Sequence, residues 1–314
     1  MDIGKLINFI LTTAMLLIFL FSSSARLHAQ QRVLFLGNSI TYDGRYIVDL
    51  ETFVLLKHPK RQPDVFINVG LPSETVSGLS EPGHAGGKFP RPDLHERLAR
   101  VLEATKPDVI FVDYGMNDGI YLPLDSARFA AYRNGMTWMH AELKRSGAKQ
   151  IIILTPPVHD DPLKGLNGYD LVLDEYSRWI MAQQEAKGWE VGDLHFPMKA
   201  YLEAKREKQP GFKLAEDGVH PGDLGHWLMA KEILTGLGYG IADSTTSVFG
   251  AVGGSSKARG IRALVAKRQA IMKDAWLKRT GFIRPDMPEG LPFDEAERQA
   301  AEITKEIEKI MRGS

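Results

Sequence analysis

The chain contains no cysteine. Disulfides, thiolate metal sites and lipid-modified cysteines are therefore excluded, and a fold built without them must draw its stability from its core. An excess of one charge is also lacking. Lys and Arg number 39, Asp and Glu number 39, and the formal net charge over 314 residues is zero. That balance speaks against nucleic acid as a partner and against a membrane-surface role, both of which draw on a basic excess. No internal repeat is present, and long apolar runs are missing except at one place. Residues 6–24, LINFILTTAMLLIFLFSSS, follow Lys5 and precede small and polar residues up to Ala29. A basic start, an apolar middle and a small-residue exit predict a signal peptide over residues 1–29, cut between positions 25 and 30. The alternative, an uncleaved anchor, lies near the lower length limit for a span and carries Asn8 within it. The expectation is an exported protein, periplasmic or secreted, with no stable membrane association once the leader is removed.

What is present is enough for a large core: 44% of the residues are apolar. Strand-like and helix-like segments alternate after the leader. Residues 33–36, 65–69, 109–114, 151–154 and 189–194 read as strands. Residues 47–58, 94–105, 126–145, 171–186 and 224–237 read as helices, from apolar residues at helical spacing. This rhythm predicts a parallel sheet with helices on both faces, a three-layer α/β/α sandwich over residues 30–240. Residues 241–260 are rich in Gly and Ser and read as a linker. A C-terminal helical extension over 261–314 follows, with helices at 261–280 and 293–312. Two isolated amphipathic helices hide their apolar faces poorly, so the extension should pack on the α/β domain or on a partner subunit. The charge run YLEAKREKQP reads as a solvated helix face.

The chemistry begins in RVLFLGNSITYDG, residues 32–44. A short buried strand stops at Gly37 and Asn38, turn residues, and leaves Ser39 at its carboxyl end, where open α/β sheets bind ligands. Alone, the stretch also fits a helix cap at Ser39. Two other places share that edge, Gly70 in VFINVGLPSET and Asn117 in VIFVDYGMNDGIY, and Asp217 with His220 in EDGVHPGDLGHW lie just before the last helix of the α/β part. A serine hydroxyl needs a base, and His220 suits the task because imidazole titrates near neutrality. Asp217, three residues earlier across Gly218, can reach the imidazole and fix its tautomer. The Ser39 and Gly70 N–H groups and the Asn117 amide are candidate donors to an oxyanion. A glycine at 70 would let backbone approach substrate closely.

On these motifs, GNSI, NVG, GMND and DGVHP in order, residues 32–237 resemble the SGNH hydrolases, also called GDSL esterases and lipases. The resemblance implies a flavodoxin-like α/β/α fold and an exported serine esterase that works through an acyl-enzyme. Ser39 is then the nucleophile, His220 the base and Asp217 its partner, with Ser39, Gly70 and Asn117 forming the oxyanion hole. It implies no cofactor and no metal. Its exported bacterial members point to an O-acetylated carbohydrate as substrate. A lipase or lysophospholipase of the same class, and a catalytically silent carbohydrate-binding protein, are the alternatives. Two departures stand out: Asn38 replaces the aspartate of GDSL, and LPSET follows Gly70 where many members carry another glycine. The Gly/Pro-rich segment 71–93 is long for a loop and reads as a surface loop with a solvated histidine, with a substrate lid holding His84, Lys88 and Arg91 as the alternative. Asn38, His84, Arg91, Tyr121 and His159 are the further candidates for substrate contact. His159, Asp160 and Asp161 form one local cluster, which fits a loop with a capping aspartate better than a metal site. His226 reads as a packing or surface residue.

Overall fold

Five strands form one parallel sheet in the order β2-β1-β3-β4-β5. They are β1 (Arg32–Gly37), β2 (Val65–Asn68), β3 (Val109–Asp113), β4 (Gln150–Leu154) and β5 (Glu190–Gly192). The computed structural model describes residues 30–313, so the expected leader over 1–29 lies outside the described residues. The central strands are continuous runs of Val, Ile, Leu and Phe because both faces of the sheet are covered. Phe35 of β1 pairs in register with Phe111 of β3, and their rings stack at 5.2 Å. No described helix is long and apolar enough to cross a membrane.

The strand order dictates where the helices go. β1 crosses to β2 in one direction, and every later crossover runs the other way. Right-handed connections then put the first crossover on one face and the rest on the opposite face. α1 (Ser39–Asp43) and α2 (Arg45–Lys57) follow β1, and α2 packs against α7 (Asp223–Gly236). α3 (Leu98–Thr105), α4 (Ser126–Arg145) and α5 (Asp170–Lys187) belong to the return crossovers, and α6 (His195–Arg206) links β5 towards α7. The carboxyl ends of β1 and β3, where the chain reverses direction across the sheet, form the crevice in which such folds place ligands. α4 starts and stops at the predicted residues. The Asp125 side chain accepts from the Ala127 and Arg128 N–H groups and fixes its start.

The C-terminal segment differs from the predicted linker, while the two expected tail helices are present, the second over Phe293–Arg312 as predicted and the first starting earlier. Residues 241–260 contain α8 (Val248–Val252), with Val248 buried, and α9 (Ser256–Thr280) begins inside the expected linker. Ser255 caps α9 by accepting from the Ala258 N–H at 3.1 Å, a signal hidden in a Gly/Ser-rich stretch. From Gln31 onward the chain is one compact unit. α9 lies against α2 and β2, and α10 (Phe293–Arg312) pairs with α9. Val48 and Leu55 of α2, Ile261 and Val265 of α9, and Ile303 and Ile307 of α10 make a second small core. Buried polar groups fix its register: Arg262 meets Asp49 at 2.6 Å, and Arg268 and Gln269 meet the two oxygens of Glu51 at 2.7 and 2.6 Å.

Ile303→Ala should lower the unfolding free energy by about 2–4 kcal/mol, the usual cost of emptying a buried aliphatic site. Urea denaturation followed by circular dichroism checks it. One cooperative transition is expected to remain; a separate early transition would contradict a shared unit.

Candidate active site

α1 carries Ser39 at its first residue, and its seat is built from the sequence around it. Asn38 Oδ1 accepts from the Ile40 N–H at 3.0 Å and caps the helix. Asn38 is fully buried, so it cannot touch substrate as expected; it is the cap. A Cβ at Gly37 would lie 2.4 Å from Thr41 Oγ1, so α1 sits directly on the end of β1. Gly70 serves the same seat. Its Cβ would lie 2.3 Å from Tyr42 N and 2.6 Å from Thr41 C, and the neighbouring Asn68 donates to the Thr41 carbonyl at 2.7 Å.

This corrects the reading of Gly70. Its N–H is donated to Asn68 Oδ1 at 2.9 Å, not offered to a substrate, and its missing side chain admits α1. The unusual backbone lies three residues on. Ser73 has φ 67°, a left-handed conformation that favours glycine, and its N–H makes no hydrogen bond among the described residues. LPSET thus places Ser73 in the conformation glycine favours. Only the signal of a loop departing from a glycine-bearing pattern could have found it.

The loop around Ser73 is tied to Asn117. The Asn117 amide donates to the Glu74 carbonyl at 3.1 Å, using one N–H and leaving the second. Beneath it Glu74 and Arg97, both fully buried, form a two-point ion pair at 2.6 and 2.7 Å. The Tyr114 hydroxyl donates to the same carboxylate, and Arg97 also donates to the Val69 carbonyl at 2.9 Å. Asp118, next to Asn117, accepts from the Val76 and Ser77 N–H groups at 2.9 and 2.8 Å. Burial pushes its carboxyl up to about 6. Sequence reading missed this buried set, because nothing local pairs Glu74 with Arg97.

Asp217 and His220 arrive from the loop before α7. Gly218 has φ 83° there, and a Cβ would lie 2.3 Å from the Asp160 carbonyl oxygen, so this turn requires glycine. Asp217 Oδ1 accepts from the Val219 and His220 N–H groups at 2.9 and 2.8 Å. His220 Nδ1 lies 2.6 Å from Asp217 Oδ2, and His220 Nε2 lies 2.9 Å from Ser39 Oγ. Partial burial acts to raise the Asp217 carboxyl, but the hydrogen bonds from His220 and Val219 outweigh it and hold it below its usual range. An ionised Asp217 accepts a hydrogen bond from the His220 Nδ1–H, which leaves Nε2 to accept from the serine hydroxyl. The Ser39 N–H, at the first position of α1, has no intrahelical partner.

The other candidates fall into a rim. The Tyr121 hydroxyl donates to Asn117 Oδ1 at 3.0 Å. Its ring meets His159 at 5.6 Å and Tyr169 at 4.9 Å, with the Arg91 guanidinium 5.4 Å away. Arg91 is committed to Glu81 by bonds of 2.7 Å, and His84 Nδ1 lies 3.6 Å from the same carboxylate. Arg91 and His159 are buried; Tyr121 is the half-buried member of the trio. Lys88 is exposed, Asp160 pairs with Arg206, and Asp161 accepts from the Leu163 and Lys164 N–H groups as the local loop reading has it. Asp170, Asp174 and His195 also converge, but the Lys199 ammonium bridges the two carboxylates, at 2.9 Å from Asp170 and 2.7 Å from Asp174.

Comparison with known proteins gives a family and a fold. The sequence profile of the GDSL-like lipase/acylhydrolase family matches residues 35–228. A search of curated proteins gives no match. Among solved structures, a gut microbial diltiazem-metabolising enzyme is similar with a TM-score of 0.54 and 22% identity over 67% of this chain, which spans about half (47%) of that one. A catalytic mutant of an acetylxylan esterase from Geobacillus stearothermophilus is similar with a TM-score of 0.53 and 20% identity, over 70% of this chain and 100% of that one. A protein from Parabacteroides merdae assigned as a GDSL-like lipase gives 0.51 and 20%, over 68% and 99%.

Two buried groups below the site set a pH dependence. His226 stacks on Tyr46, and burial pushes its imidazole down to about 4. Asp113, at the end of β3, is buried with neither oxygen hydrogen-bonded among the described residues, and burial pushes its carboxyl up to about 7. Unfolded, that carboxyl titrates near 3.8, so the folded chain holds an extra proton between these values. Its contribution is full below the lower value and is lost as pH rises through the upper one. Wild type should therefore lose stability relative to Asp113→Asn by on the order of 3 kcal/mol from pH 5 to pH 8. Parallel urea titrations at the two pH values check it, and a pH-independent difference would contradict it.

Proposed function

Because the chain belongs to the GDSL-like lipase/acylhydrolase family, we propose that its Ser39–His220–Asp217 relay hydrolyses carboxylic esters through an acyl-enzyme. The observation that carries the reading is the continuous relay, 2.9 Å from Ser39 Oγ to His220 Nε2 and 2.6 Å from Nδ1 to Asp217. His220 takes the hydroxyl proton as Ser39 Oγ attacks the ester carbonyl. The Ser39 N–H, the second N–H of the Asn117 amide and the Ser73 N–H are the donors for the oxyanion. When the tetrahedral intermediate collapses, the C–O bond to the alcohol breaks and the alcohol leaves with the proton from His220. Water then repeats the sequence on the acyl group and releases the acid and free Ser39. Asp217 stays ionised throughout, orienting the imidazole and stabilising its protonated form.

The substrate reading is an O-acetylated carbohydrate. Half-buried Tyr121, bonded to Asn117, puts an aromatic ring at the rim of the proposed site, and aromatic rings at such rims stack on sugars. The acetylxylan esterase of the same fold agrees with this reading. A second reading, a lipase or lysophospholipase, is favoured by the exposed apolar side chains of Leu122, Leu124 and Leu163 on loops that follow β3 and β4. For residues 1–29 the reading is an export leader, supported by its basic, apolar and small-residue pattern.

Ser39→Ala should abolish p-nitrophenyl acetate turnover, a loss of about 10³-fold or more, while Asp217→Asn should lower kcat by at least about 10²-fold. Acetate should be turned over faster than butyrate and octanoate. A preference for octanoate would replace the carbohydrate reading by the lipase reading, and undiminished turnover by Ser39→Ala would remove both.

A further inference from the structure

The nucleophile helix is only five residues long, too short to hold its own conformation. One side of it is fixed by Asn38, Asn68 and Gly70, within the part of the chain that matches the family profile. The other side is fixed from α9, which begins 28 residues beyond the end of that match at residue 228. Lys273 Nζ donates to the Tyr42 carbonyl at 3.0 Å and lies 3.6 Å from the centre of the Tyr42 ring. That carbonyl belongs to the last turn of α1 and accepts no backbone hydrogen bond among the described residues, and an ammonium group there complements the end of a helix. The Tyr42 hydroxyl in turn donates to Asp274 Oδ1 at 3.0 Å. Lys273 has no carboxylate within ion-pair distance among the described residues, so its half-buried charge is spent on Tyr42. The loop after α9 makes a second contact. Arg284 Nε donates to the Pro72 carbonyl at 2.9 Å, next to Ser73, and its guanidinium lies 5.4 Å from the Phe89 ring.

We propose that the C-terminal extension is a working part of the active site: Lys273 and Asp274 position Ser39 by holding α1 through Tyr42, and Arg284 positions the loop that carries Ser73. This rests on the serine-esterase reading above. Lys273, Asp274 and Arg284 are positioning residues. They act on the orientation of the reacting groups, so their loss falls on kcat and spares KM.

The experiment uses the full chain and p-nitrophenyl acetate, with kcat, KM and melting temperature measured for each variant. Lys273→Met and Arg284→Met should each lower kcat about tenfold with KM within about twofold, because small misplacements of reacting groups are costly. Lys273→Arg, which restores a donor to the Tyr42 carbonyl, should recover most of the rate. Ile307→Ala loosens the extension in its distant core; it should lower the melting temperature and leave kcat at 25 °C unchanged. Should Lys273→Met fail to fold, Tyr42→Phe decides, since it removes only the hydroxyl bond to Asp274 and should cost about threefold in kcat. Unchanged kcat in the folded variants would overturn the proposal, as would an equal loss of kcat in Ile307→Ala. Turnover surviving in Ser39→Ala would instead remove the reading on which it stands.

Discussion

One hydrogen bond, from the Ser39 hydroxyl to His220 Nε2, joins positions 181 residues apart at 2.9 Å. Most of the architecture can be understood as what that bond requires. The carboxyl end of β1 and the loop before α7 must meet at one point. The order β2-β1-β3-β4-β5 brings them there, because it places β1 at the reversal of the sheet and packs α2 against α7 on the same side. The glycines at 37, 70 and 218 are the local counterpart of this constraint. Each stands where a Cβ would strike neighbouring backbone or side chain within 2.4 Å, so each lets two segments approach closely enough for the relay to close.

On the proposed reading that bond joins a nucleophile to its base, but it does not hold an oxyanion. The second half of the site is rigid for a different reason. Glu74, Arg97, Tyr114 and Asp118 are buried beneath Asn117 and the Ser73 loop. Burying charge is costly unless geometry and hydrogen bonding are complete, and the two-point pairing of Glu74 with Arg97 supplies that geometry. What the fold gains is orientation: donors already aimed before substrate arrives need no reorganisation when charge develops.

The sequence made part of this legible. Apolar runs marked the strands, and helical spacing marked α4 to the residue, at the start that the Asp125 cap fixes in the structure. The four motifs pointed to Ser39, Asn117, Asp217 and His220 because each sits at a strand end or a glycine turn. Other parts depended on contacts between distant segments. Gly70 was read as an open approach to substrate, yet its missing side chain admits α1, and its N–H is already used by Asn68. Asn38 was read as a substrate contact, yet it is a buried cap. Ser73 could not be identified because nothing in its side chain announces a left-handed backbone. The tail was expected to pack on the α/β domain or a partner, but periodicity reports only that a helix has an apolar face. It does not report that Lys273 and Asp274, on a partly polar helix, reach Tyr42 three residues after Ser39.

The central claim is that Ser39 becomes covalently acylated. The most direct measurement is intact and peptide-level mass spectrometry after acid quenching of a stoichiometric reaction with p-nitrophenyl acetate. The account predicts a single acetyl adduct on the peptide that contains Ser39, formed in a burst and lost in the Ser39→Ala variant. An adduct on another residue, or ester turnover by the wild-type chain with Ser39 unmodified under conditions where deacylation is slowed at low pH, would contradict it.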